Sequence, residues 1–215
     1  MLTFIDAFKQ KAFLQIFTIY LRYLIGGAFI IAAIGMGKLN GSSNLLNSMS
    51  TPIQELEPIQ QFFRVMSESG LYWKFIGWTQ IVTGVLLMSQ RFAKLGALMF
   101  FGMILNIFVI TISYEFKGTP IVTGLMLLAT TYLLVWDVRS FLFLIQDDVH
   151  VKHTSYSVLD KPYWVWLSFI MMGSIVLLAI LKVNFIIQLL VPFGEGLIAF
   201  ILFFVTRQKE VETAP

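Results

Sequence analysis

The sequence predicts an all-α membrane protein of six spans, and three observations predict it. Apolar residues fill 58% of the 215 positions and charged residues only 13%, with a mean hydropathy of +0.82. A soluble domain carries about 25% charge, so this composition belongs to a polytopic membrane chain. Apolar stretches close to the ~20 residues that cross a bilayer as helix recur between short polar breaks. Lysine and arginine are spread unevenly over those breaks, as the positive-inside rule requires.

Composition also excludes chemistry. Without cysteine there are no disulfides, thiolates, iron–sulfur clusters or Cys-type zinc sites. A net charge of +3, scattered along the chain, does not suggest nucleic acid. The expected surroundings are a lipid bilayer and other membrane proteins.

The first thirteen residues hold Asp6, Lys9 and Lys11 and lack the apolar core and cleavage site of a signal peptide. They read as an amphipathic lead-in. The spans are then drawn at about 13–36, 71–89, 95–114, 120–136, 163–183 and 185–205, the fourth being the shortest. Running through the end of the first, LRYLIGGAFIIAAIGMGK from Leu21 to Lys38 carries a single arginine, Arg22. A mid-membrane arginine costs roughly 2.5–3.5 kcal/mol by insertion scales, so it is expected to face protein.

With the N-terminus inside, one side holds Lys9, Lys11, Arg91, Lys94, Arg139, Lys152, Lys161, Arg207 and Lys209. The other holds Lys38, Arg64, Lys74, Lys117 and Lys182. Both termini are therefore assigned to the cytoplasmic side of an inner membrane. Tyr72, Trp73 and Tyr114 mark the outer interface; Trp136, Tyr163, Trp164 and Trp166 mark the inner one.

The outer loop 39–70 contains an amphipathic helix at about 51–69. Thr51-Pro52-Ile53-Gln54 reads as a capping box, and Pro58 restarts or kinks the helix. Ile53, Leu56, Ile59, Phe63 and Met66 recur at helical spacing. A plain surface helix closing the bundle is the leading reading, and a lid over a site is the alternative. The inner loop 138–162 holds Asp147, Asp148, His150 and His153. Their spacing matches no zinc-hydrolase motif, and a solvated loop is expected; no metal site is predicted. No histidine lies in any span, which argues against haem b.

Polar residues inside the spans are the candidate site. The first helix repeats Gln15, Thr18, Arg22, Gly26, Ala33 and Gly37 on a face that small residues make suitable for close packing. The second carries Trp73, Gly77, Gln80 and Gly84; the third Met99, Met103, Asn106, Ile110 and Ser113; the fourth Thr123 and Thr130, with Asp137 at its end. In the sixth, Pro192-Phe193-Gly194-Glu195-Gly196 sets a carboxylate between glycines. Counted at 1.5 Å per residue, Arg22 and Gln80 lie about 14 Å deep and Glu195 about 15 Å. Shared depth predicts an Arg22–Glu195 ion pair with Gln80 bonded to one of them. The candidate ligand-binding cluster is Arg22, Gln80, Asn106, Glu195, Trp73 and Lys38.

The pattern R-x3-G followed by G-x-G-K-L in the first span, with GWTQIVTGVLLMSQRFAKLGALMFFGMILNIFV, resembles the DoxX family of small membrane proteins. The resemblance covers about residues 21–137. It implies a four-helix unit over 1–137, a cytoplasmic loop at 138–162, an added transmembrane hairpin at 163–206 and a cytoplasmic tail at 207–215. By position, Arg22 and Lys38 match the family's basic residues, while Gln80 stands where the family commonly has glutamate. The family takes its name from a membrane subunit of a thiosulfate:quinone oxidoreductase, although most members have no assigned reaction.

Three functions are weighed. The leading one is a non-catalytic subunit or assembly factor of a membrane complex, without a cofactor. The second is a quinone-binding subunit of an oxidoreductase, with quinone or lipid held between helices by Arg22, Gln80 and Trp73. The third is a small proton-coupled carrier using Glu195, although the spans show no clear inverted repeat.

Overall fold

The computed structural model describes residues 8–40, 52–141 and 158–212. These residues form helices throughout, joined by turns. Helix α1 is Ala12–Gly35, followed by a 3-10 turn at Lys38–Asn40. After a second 3-10 turn, Ile53–Glu55, come α2 (Pro58–Glu68), α3 (Leu71–Met88), α4 (Ala93–Ser113) and α5 (Thr119–Trp136). The single turn α6 (Val138–Phe141), then α7 (Pro162–Ile180) and α8 (Phe185–Glu212) follow among the described residues.

Five of these helices are long and apolar enough to cross a membrane: α1, α4, α5, α7 and the stretch Ile186–Thr206 of α8. Helix α3 has 18 residues as well but is more polar. Large apolar side chains face outward on the long helices, among them Leu125, Leu128, Ile170 and Phe193, each more than half exposed. Water would not tolerate so continuous an apolar exterior, whereas lipid does. The chain is a multi-span, all-α integral membrane protein.

Local chemistry sets the helix ends. Pro58 and Pro162 each occupy a first helical position, and Pro120 lies in the first turn of α5. Proline there loses no helical hydrogen bond, and its fixed φ suits the helix. Left-handed residues turn the chain between antiparallel neighbours: Gln90 (φ 58°) after α3, Glu115 (φ 47°) and Gly118 (φ 74°) after α4, and Lys182 (φ 51°) after α7.

Helix α1 is the shared wall. Of its apolar stretch 67% is buried, against 22–28% for the other candidate spans, so it is the one surrounded by protein. One side packs Ile25 and Phe29 against Leu87, Phe100, Ile104 and Leu133 of α3, α4 and α5. The other side packs Ile16, Ile19 and Tyr23 against Trp164, Met171, Ile175 and Phe203 of α7 and α8. Between α1 and α3 the backbones nearly touch. A Cβ on Gly84 would lie 2.6 Å from the Gly26 carbonyl oxygen, and one on Gly26 would lie 2.9 Å from that of Gly84. Only glycine permits this approach.

The loop helix begins later than the sequence suggested. Ile53–Glu55 makes only a 3-10 turn, Leu56 is extended, and α2 starts at Pro58. Its capping box is Glu57 with Gln60. Thr51 of the expected box lies outside the described residues, as do Asp147, Asp148, His150 and His153. Helix α2 packs on α3, and Phe62 meets the ring of Tyr114 at the end of α4, 5.4 Å between centroids.

Candidate functional site

The polar residues singled out by sequence separate into three places. The first is at the Gly35 end of α1. Gly37, at φ 65°, turns the chain so that Lys38 folds back onto α3. Helical spacing puts Trp73, Gly77 and Gln80 on one face of α3. A Cβ on Gly77 would lie 2.6 Å from that of Lys38, so glycine makes the seat. The Lys38 Nζ donates to Gln80 Oε1 at 2.8 Å and stands 5.0 Å from the centre of the Trp73 ring. All three are buried, with Lys38 6% exposed and Trp73 fully enclosed. Burial pulls the Lys38 ammonium down to about 8, because the charged form loses hydration.

This set is rich in donors. The ammonium has three N–H groups, and the Trp73 Nε1 is buried with no acceptor among the described residues. No carboxylate pairs with Lys38 among the described residues, and residues 41–51 contain neither Asp nor Glu.

The second place is the opposite end of α3. Arg22 Nη2 donates to Asp137 Oδ2 at 2.9 Å and Nη1 to Gln90 Oε1 at 3.0 Å. Asp137 caps the C-terminus of α5, and Gln90 follows the C-terminus of α3. The guanidinium therefore also meets the negative ends of two helix dipoles. Beside it, the Thr18 and Tyr132 hydroxyls share a hydrogen bond of 3.0 Å.

The expected Arg22–Glu195 pair does not form. Helical side chains lean toward their own N-terminus, so the Arg22 head lies closer to the Ala12 end than its Cα does. Helix α1 is also about 9 Å longer than α3, 24 residues against 18. With Lys38 fixed against Gly77, the excess falls at the Ala12 end, and Arg22 meets the terminus of α3 rather than its middle. Arg22 points toward α3 and α5. Tyr20, two residues or about 200° away around the helix, points toward α8 and donates to the Gly196 carbonyl at 2.7 Å.

Glu195 is the third place. It lies within 2.9 Å of the Ser174 hydroxyl of α7 and forms an ion pair with neither cation. Gln80 bonds Lys38, not Arg22 or Glu195. Asn106 belongs to none of the three: it is exposed on α4, whose buried face is Ala93, Gly96, Ala97, Phe100 and Ile104.

The sequence placed Lys38, Gln80 and Trp73 in one cluster with Arg22, Asn106 and Glu195 and expected Gln80 to bond Arg22 or Glu195; it did not foresee the Lys38–Gln80 contact, nor Gln90, Asp137 and Ser174 as partners. Asp137 carried a readable signal, since a carboxylate at a span end lies within reach of a long, N-terminally leaning arginine. Gln90 carried none, because its role depends on a left-handed turn.

A large apolar cleft of about 1040 Å³ opens between α1 and the α7–α8 hairpin, walled by Phe17, Tyr20, Leu24, Phe193, Leu197 and Phe200 among others. No family model matches the chain, and neither the curated proteins nor the solved structures compared with it contain a match.

Proposed function

We propose that the protein is a non-catalytic, DoxX-like subunit or assembly factor of a membrane complex. Six spans are built as a four-helix unit of α1, α3, α4 and α5 with the α7–α8 hairpin added, and both termini are cytoplasmic. The observation that carries this reading is the α1–α3 contact. Gly26 and Gly84 bring the two backbones together between the Arg22 set and the Lys38 set. The two polar sets thereby lie at opposite ends of the contact, and among the described residues no side-chain hydrogen bond links them. That is the construction of a rigid scaffold. It also weighs against the proton-coupled carrier, which needs a polar route.

One observation favours the second reading, a quinone-binding subunit. The indole N–H of Trp73 has no acceptor among the described residues and stands beside the Lys38 ammonium, which donates to Gln80, and a quinone carbonyl oxygen is an acceptor that this indole could use. Mild purification from native membrane, followed by mass spectrometry of proteins and small molecules together, tests both. Partner proteins in fixed ratio are the expected result. A bound quinone with no protein partner replaces the first reading with the second.

A further inference from the structure

Glu195 sits near the middle of the apolar stretch Ile186–Thr206, where an acidic side chain is rare and needs a partner. Its surroundings give it little. The Ser174 hydroxyl has one proton and two acceptors in reach, the Met171 carbonyl and Glu195 Oε2, both at 2.9 Å. No ion pair reaches Glu195 among the described residues.

The carboxylate forms part of the wall of a groove of about 320 Å³ between α7 and α8, lined otherwise by Trp166, Ile170, Ile198, Leu202 and neighbouring side chains of the hairpin alone. Trp166, Ile170, Ile198 and Leu202 are each more than half exposed, so the groove faces away from α1. Glycine continues both walls. Gly173 follows Ile170 by three residues and Gly194 precedes Ile198 by four, which keeps each on the groove face of its helix. A Cβ at either glycine would meet nothing within 4 Å. Small residues beside a polar one on an otherwise apolar face are what membrane helices use to approach each other closely.

We propose that this face of the hairpin docks one transmembrane helix of another protein, a helix carrying a lysine or arginine about halfway along its apolar stretch. The proposal rests on the subunit reading and names the chemistry of the partner. Charge complementarity selects the occupant. Of this chain's own basic residues on or against the long helices, Arg22 is held by Asp137, Lys38 is buried against α3, and Lys74 and Lys94 lie in the first turns of α3 and α4, at helix ends rather than midway. A second copy meeting the same face across a two-fold axis would set Glu195 against Glu195, like charge against like. A lipid chain would fill the groove but leave the carboxylate without a counterpart.

The test uses the full chain in phosphatidylcholine vesicles with synthetic Leu/Ala transmembrane peptides of about 23 residues. One peptide carries a single central lysine and the other a leucine there; fluorescence transfer to a label on the protein reads binding. The lysine peptide is expected to bind about tenfold more tightly, the scale of one polar contact between membrane helices. Glu195→Gln should abolish that preference. Ile198→Trp, which fills the groove and spares the carboxylate, should weaken the lysine peptide as well, so the result does not hang on one variant. Equal binding of the two peptides, or a preference that survives Glu195→Gln, overturns the proposal. Transfer between two copies of the protein that Glu195→Gln removes would assign the face to self-association and overturn it too. If the native complex purifies intact with Glu195→Gln, the subunit reading stands and this docking face is wrong.

Discussion

Arg22 and Asp137, 115 residues apart in the chain, form a buried ion pair of 2.9 Å that ties the middle of α1 to the last turn of α5. Removing one partner strands the other charge. Arg22→Gln and Asp137→Asn should each destabilise the bundle by roughly 3–5 kcal/mol. The double variant should lose less than the sum, because the pair is one interaction. Unfolding titrations of the four proteins in mixed micelles measure this, and strict additivity would contradict it. Glu195→Gln belongs to no such pair and should leave the coupling unchanged.

The α1–α3 contact should be intolerant of a single methyl group. Gly84→Ala sets a carbon 2.6 Å from the Gly26 carbonyl oxygen, a backbone atom that cannot swing away. Overpacking of this kind costs about 1–3 kcal/mol. Gly27→Ala, whose Cβ would meet Ile175 at an ordinary 3.5 Å, and Gly102→Ala, which meets nothing, are the matched controls. Melting temperatures that fall for Gly84→Ala alone fit the packing; equal shifts in all three do not.

Lys38 should make stability depend on pH above neutrality. Burial lowers its pKa to about 8, while the unfolded chain holds its proton to the ordinary 10.5. Between those values the unfolded state binds more protons, so stability rises as pH increases from about 8 to 10.5. Below 8 both states are protonated, and the burden of a buried ammonium is fully present. Lys38→Met should flatten the profile in this window. Midpoints of denaturation at intervals from pH 7 to 10.5 for both proteins give the comparison, and parallel curves would rule the effect out.

The orientation proposed from charge asymmetry has a direct check. A reporter joined after Arg207 should be active only on the cytoplasmic side, as should one joined ahead of Lys11. Activity of either on the outer side contradicts the six-span arrangement.

The sequence by itself determined the class of the protein and most of its helices. These are local matters: an apolar run of span length must close its own backbone hydrogen bonds in lipid, and prolines at 58, 120 and 162 mark helix starts through their fixed φ. It also grouped Trp73, Gly77 and Gln80, because a 3.6-residue period is a property of one helix. Only the tertiary structure decided what those faces meet. Depth counted along a helix carries neither the direction around it nor the lean of a long side chain, and so Arg22 found Asp137 while Glu195 found Ser174. Asn106 shows the same loss, since it is exposed on α4 while Met103, three residues away on the same stripe, packs against the core. The seat of Lys38 depends on a positive φ at Gly37 and a missing side chain at Gly77, two residues forty positions apart that meet only when α1 and α3 pack.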